Sequence, residues 1–120
     1  TLWHTLSLHD ALPICQLYED GHVESYELDP LQYGFEGASI TELRGGEPAE
    51  NAEILRGVLD GSVQGAKRDV VVLNAGAAFL ASGRVANMQE GLQLARETLD
   101  SGDALAKLDQ LIEYSQSFDV

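Results

Sequence analysis

Three histidines, one cysteine and 20 acidic side chains are the groups in this 120-residue chain with the chemistry to bind metal, move protons or attack a carbonyl. His4 and His9 with Asp10 offer a metal-ligand set. An i, i+5 pair, however, shares neither a helix face nor a strand face. His22 follows Glu19-Asp20-Gly21 on a turn, and all three histidines read as solvent-exposed loop residues. Cys15 has no histidine beside it in a defined element, so a buried or incidental thiol is expected there and not a nucleophile. Gly45-Gly46 ahead of a helix has the form of a phosphate cradle, because backbone N–H groups at a helix start attract anions. Glu47 and Glu50 place carboxylates where the phosphate would sit, so a structural turn is the expected role. Val72-Leu73-Asn74-Ala75-Gly76 has the look of a dinucleotide-binding turn, yet it lacks the three-glycine fingerprint and the acid that closes a second strand. Glu90, Glu97, Asp100, Asp103 and Asp109 fall on exposed helix faces or helix ends, which suits a solvated surface and not an acid/base pair. No catalytic, cofactor-binding or metal-binding residue is assigned on this chain.

These groups are positioned by an orderly pattern that begins near residue 16. Gln16-Leu17-Tyr18 and Val23–Leu28 flank an Asp-Gly turn and read as a β-hairpin, with Tyr26 and Leu28 on the half-buried face. Asp29-Pro30 stops the second strand, and residues 30–37 read as loop. Pro48 suits a first helical position, with Ala52, Leu55 and Leu59 on one stripe, Ile54 and Val58 beside it, and Gly61 closing the helix. Residues 68–82 are apolar on too many sides for periodicity to separate a buried strand and turn from one long helix. The absence of a turn signal between Val70-Val71-Val72 and the Ala-rich run favours the helix. Asn87 and Glu90 form a capping box for a helix buried through Met88, Leu92, Ala95 and Leu99. Ser101 is placed to cap a last helix bearing Leu105, Leu108, Leu111 and Ile112, with fraying expected from Ser115.

Composition bounds the rest. One domain's worth of chain carries 7 basic residues and a net charge of −13, which opposes non-specific nucleic-acid and anionic-membrane binding. A single cysteine excludes an internal disulfide. The longest apolar runs fall far short of a bilayer span, and residues 2–14 lack a signal peptide's basic start. The expectation is a soluble cytoplasmic chain.

Tyr26-Glu27-Leu28-Asp29-Pro30, Tyr33-Gly34, Leu43-Arg44-Gly45-Gly46-Glu47, Glu50-Asn51-Ala52, Arg68-Asp69, Leu73-Asn74-Ala75, Glu90-Gly91 and Asp100-Ser101-Gly102 occur in an order that resembles the C-terminal part of anthranilate phosphoribosyltransferase, over about residues 16–117. The resemblance implies an α/β fold, represented in this chain by a β-hairpin followed by about four α-helices. It also implies a helical Asn74 segment. The family transfers phosphoribosyl from phosphoribosyl pyrophosphate (PRPP) to anthranilate, with Mg²⁺, in tryptophan biosynthesis, and a homodimer is open to the intact enzyme. The family's Gly-Thr-Gly-Gly-Asp loop and Lys-His-Gly-Asn-type segment do not occur in these residues. Nor does its Asp-Glu metal pair, so no metal role passes to Asp10. Gly45, Gly46, Glu50, Asn51 and Asn74 match the family and are expected to fix a turn, a helix start and a buried polar contact. Residues 1–15 are expected to be an unmatched lead, foreign or disordered, and residues 16–120 a C-terminal part of the α/β domain, inactive by itself. Two alternatives are a non-catalytic acidic interaction module and a nucleotide-binding fold around Val70–Gly76.

Overall fold

The computed structural model describes residues 11–118, so His4, His9 and Asp10 lie outside the described residues. Strand β1 (Leu12–Leu17) pairs antiparallel with β2 (Val23–Leu28), in a register that sets Leu12 opposite Leu28 and Leu17 opposite Val23. The ladder therefore starts four residues earlier than the sequence pattern suggests, and the boundary expected after residue 15 falls inside β1. Pro13 hides that start from a propensity reading, but an edge strand tolerates a residue that cannot donate. Period 2 sorts the ribbon: Leu12 and Ile14 turn towards the core, whereas Cys15 is exposed. Cys15 is thus not buried, and its Sγ lies 3.4 Å from Ser25 Oγ.

Two short 3-10 turns, Pro30–Tyr33 and Ile40–Leu43, punctuate the connection to the helices. This connection is more than a loop, because Pro30, Phe35 and Ala38 are buried in it. Four helices follow: α1 (Pro48–Asp60), α2 (Ala66–Ala81), α3 (Met88–Ser101) and α4 (Asp103–Gln116). Pro48 opens α1 with its φ already helical, and Gly61 closes it at φ +85°. The buried side of α1 is Gly57 and Val58, whereas Leu55 is 46% exposed, so the stripe is rotated from the expected one.

The core lies where α2 crosses α3. Val72 and Leu73 from α2 meet Met88, Leu92, Ala95 and Leu99 from α3, with Leu28, Phe35 and Ala38 closing the side towards the hairpin. Gly76 and Gly91 let the two backbones approach: a Cβ on Gly91 would stand 3.1 Å from the Gly76 carbonyl carbon and 3.2 Å from its Cα. At the α3 start, Asn87 Oδ1 accepts from the Glu90 N–H at 2.9 Å. Glu90 reaches back to the Ala86 N–H at 2.9 Å, one residue further than a standard capping box requires. Ser101 ends α3 instead of capping α4. Gly102, at φ +84°, is both the last cap of α3 and the first of α4, and Ser101 Oγ accepts from Asp103 N–H at 3.3 Å. Helix α4 has no buried residue, and it continues through Gln116, past the fraying expected from Ser115.

Candidate functional site

The Gly45-Gly46 turn feeds α1 and is bracketed by Asn51. The Gly46 N–H donates to Asn51 Oδ1 at 2.8 Å, and Asn51 Nδ2 donates to the Gly46 carbonyl at 2.8 Å. Any Cβ on Gly45 would collide with the Asn51 amide, and one on Gly46 would collide with the Glu50 carboxylate. At Gly45 the Asn51 amide that would be struck is held by its own two hydrogen bonds, whereas at Gly46 the Glu50 carboxylate is free to swing aside. The amide a phosphate would use is already satisfied, and Glu50 adds negative charge beside it. This loop is a built turn, shaped by the residues that the family resemblance singles out.

Asn74 sits mid-helix on α2, exposed, with its Nδ2 donating to the Val70 carbonyl at 2.8 Å. It does not make the buried contact expected of it; the side chain back-bonds one turn earlier on the solvent side. The unbroken helix Ala66–Ala81 also removes the strand-turn geometry that the nucleotide-binding alternative around Val70–Gly76 requires.

Cations on the described residues tie elements together. Arg68 Nη2 lies 2.7 Å from Asp100 Oδ1, joining α2 to α3, and only 12% of the Arg68 side chain is exposed. Arg56 Nη2 reaches Asp109 Oδ1 at 2.8 Å, joining α1 to α4. Lys67 Nζ donates to the Glu42 carbonyl at 2.7 Å, and the Arg96 guanidinium lies 5.2 Å from the Phe35 ring centroid. Partial burial raises the Asp69 carboxyl from its ordinary value, against the pull of Arg96. No charged or polar residue is buried among the described residues. Nor does any group of three or more His, Cys, Asp or Glu side chains among them converge as a metal site, so the described residues do not fit a Mg²⁺ centre. No helix among them is long and apolar enough to cross a membrane. The ion pairs between helices hold them against one another.

Comparison with known proteins places that framework. The chain is 48% identical over 99 residues to an anthranilate phosphoribosyltransferase of Azorhizobium caulinodans, covering 82% of this chain and 28% of that protein. It is 41% identical over 112 residues to one from Methanobrevibacter smithii, covering 93% of this chain and 33% of that protein. The crystal structure of anthranilate phosphoribosyltransferase from Thermus thermophilus superposes with a TM-score of 0.73 at 37% identity, over 82% of this chain and 29% of that one. The chain therefore spans about a third or less of the relatives it matches. A family model described as the a/b domain of the glycosyl transferase family matches residues 4–105, and the chain belongs to that family.

Proposed function

We propose that these residues are the C-terminal part of the α/β domain of an anthranilate phosphoribosyltransferase, and that they act there as scaffold. The intact enzyme would transfer phosphoribosyl from PRPP to the amino group of anthranilate, in the cytoplasm, for tryptophan biosynthesis. Mg²⁺ would be held by residues outside this segment. The observation that carries the reading is 48% identity over 99 residues to an enzyme of that name, on a fold that superposes at a TM-score of 0.73 with another. The Asn51 bracket, the Gly76–Gly91 crossing and the Arg68–Asp100 bridge are what the segment contributes: a fixed helical face for the rest of the domain.

Displacing pyrophosphate calls for donor groups that grip the diphosphate and neutralise its charge. The 120 residues contain no Gly-Thr-Gly-Gly-Asp loop. The purified 120-residue chain, given PRPP, anthranilate and Mg²⁺, is therefore expected to leave anthranilate fluorescence unchanged. Turnover above background refutes the inactivity. A chimera tests membership separately. Residues 16–117 exchanged for the matching segment of the Azorhizobium caulinodans enzyme are expected to support activity, and a folded but inactive chimera refutes the assignment. A foreign origin of residues 1–15 is a further proposal, set against a family match that begins at residue 4, and the DNA upstream of codon 16 tests it.

A further inference from the structure

The tip of the hairpin stands apart from the scaffold role and carries a polar cluster of its own, in which His22 reaches Glu24 at ion-pair distance and not as a hydrogen bond. His22 Nδ1 meets Asp20 Oδ1, and its Nε2 lies 3.4 Å from Glu24 Oε1. The His22 backbone N–H donates to the same Asp20 oxygen at 3.1 Å. The Tyr18 hydroxyl donates to Glu24 Oε2 at 3.0 Å, and the Tyr18 ring stacks on the imidazole with centroids 4.3 Å apart and planes 2° from parallel. Asp20 from the turn, Glu24 from β2 and Tyr18 at the end of β1 are the titratable groups facing the ring. Glu19 is the remaining charge on the turn, and among the described residues no Lys or Arg bridges Asp20 or Glu24.

Each ring nitrogen therefore faces a carboxyl oxygen, and a carboxylate accepts hydrogen bonds and donates none. Only the imidazolium carries N–H on both nitrogens. The neutral ring has one N–H and turns a lone pair towards one of the two acids. We propose that the hairpin tip is a proton-operated clasp, in which cationic His22 bridges Asp20 to Glu24 and loss of its proton opens the longer Glu24 arm. Asp20 and Tyr18 keep their forms across the range in which imidazoles titrate. Hydrogen bonds from His22 hold the Asp20 carboxyl below its ordinary value, and the bond to Glu24 pushes the Tyr18 phenol up.

Amide hydrogen exchange on the full 120-residue chain tests the clasp. The readout is the Tyr18 amide, which donates to the His22 carbonyl at 3.0 Å across the turn. Imidazole titration is followed in parallel by NMR. After correction for the intrinsic pH dependence of exchange, protection is expected to be about three-fold higher on the acidic side of the titration, the scale of one exposed charge pair. His22→Gln, with no titrating ring, is expected to show equal protection on both sides. The pair Asp20→Asn with Glu24→Gln, which keeps the imidazole, is expected to do the same. Equal protection in the wild-type chain overturns the clasp, and so does a step that survives in either variant.

Discussion

Replacing Gly91 by alanine tests the α2–α3 crossing most directly. The added methyl would point at the Gly76 carbonyl group, with that residue's carbonyl carbon at 3.1 Å and Cα at 3.2 Å. The Gly76 carbonyl oxygen is nearer still, and carbon atoms rest about 3.5–4.0 Å apart, so the helices must separate by at least about half an ångström. The obstacle is backbone, so no side-chain rotation relieves it. Separation loosens Val72, Leu92 and Ala95, which are 1–2% exposed around the crossing. Overpacking of this kind costs about 1–3 kcal/mol, and the rigid neighbour argues for the upper half of that range. Alanine returns about 1 kcal/mol through its higher helix propensity. The net expectation is a loss of about 1–2 kcal/mol, or roughly 4–10 °C in midpoint for a chain of this size. Urea denaturation followed by helical circular dichroism reads it, with the m-value unchanged. A variant equal to or more stable than the wild-type chain would show that the two backbones do not touch, and the reasoning would fail.

Three further expectations follow from the same structure. Asn51→Ala removes both hydrogen bonds to Gly46 and should lower stability by about 1 kcal/mol, read by the same denaturation. Leu92→Ala, at a position 1% exposed, should cost about 2–5 kcal/mol, and a loss below about 1 kcal/mol in the same measurement would contradict the placement of the core. The pH dependence should carry two opposite signs. Hydrogen bonds from Ser62 lower the Asp60 carboxyl from 3.8, so its contribution is present above that value and is lost as pH falls through the folded-state pKa. Asp69 is raised from 3.8, chiefly by burial, so its contribution is full below that value and is lost as pH rises through the folded-state pKa. Stability measured from pH 3 to 7 should lose the first component in Asp60→Asn and the second in Asp69→Asn, and a reversed pair would be incompatible with these environments.

The elements most legible from residues alone were those with a single strong signal. Helix α3 shows its face through Met88, Leu92, Ala95 and Leu99 at helical spacing, and the Asp-Gly turn marks the hairpin because Gly21 adopts φ +89°. Helix α2 has no readable face because little of its surface is polar, so only the missing turn signal and the family resemblance favoured the helix. The burial of Phe35 and Ala38 leaves no trace in the sequence, because irregular segments have no period to betray it. The rotation of α1 is invisible for another reason. Gly57 must lie inward, since a Cβ there would stand 2.6 Å from Val63 Cγ2, yet glycine contributes no hydrophobicity to a pattern. At the candidate site Gly45, Gly46, Glu50 and Asn51 form the turn and helix start expected of them, and Asn74 differs. Asn51 bends back on Gly46 over five positions, and Asn74 serves its own helix, which spacing by itself does not distinguish.

One joint bears on how this segment can change. Between α3 and α4 a single residue, Gly102, does the work of an entire connector. There is no slack to absorb a lengthened chain: one inserted residue would turn α4 by about 100°, swinging Leu105 and Leu108 off the surface they half cover. Apart from Leu105, Leu108 and the Asp109 partner of Arg56, side chains along α4 can change, while the number of residues at its hinge is fixed.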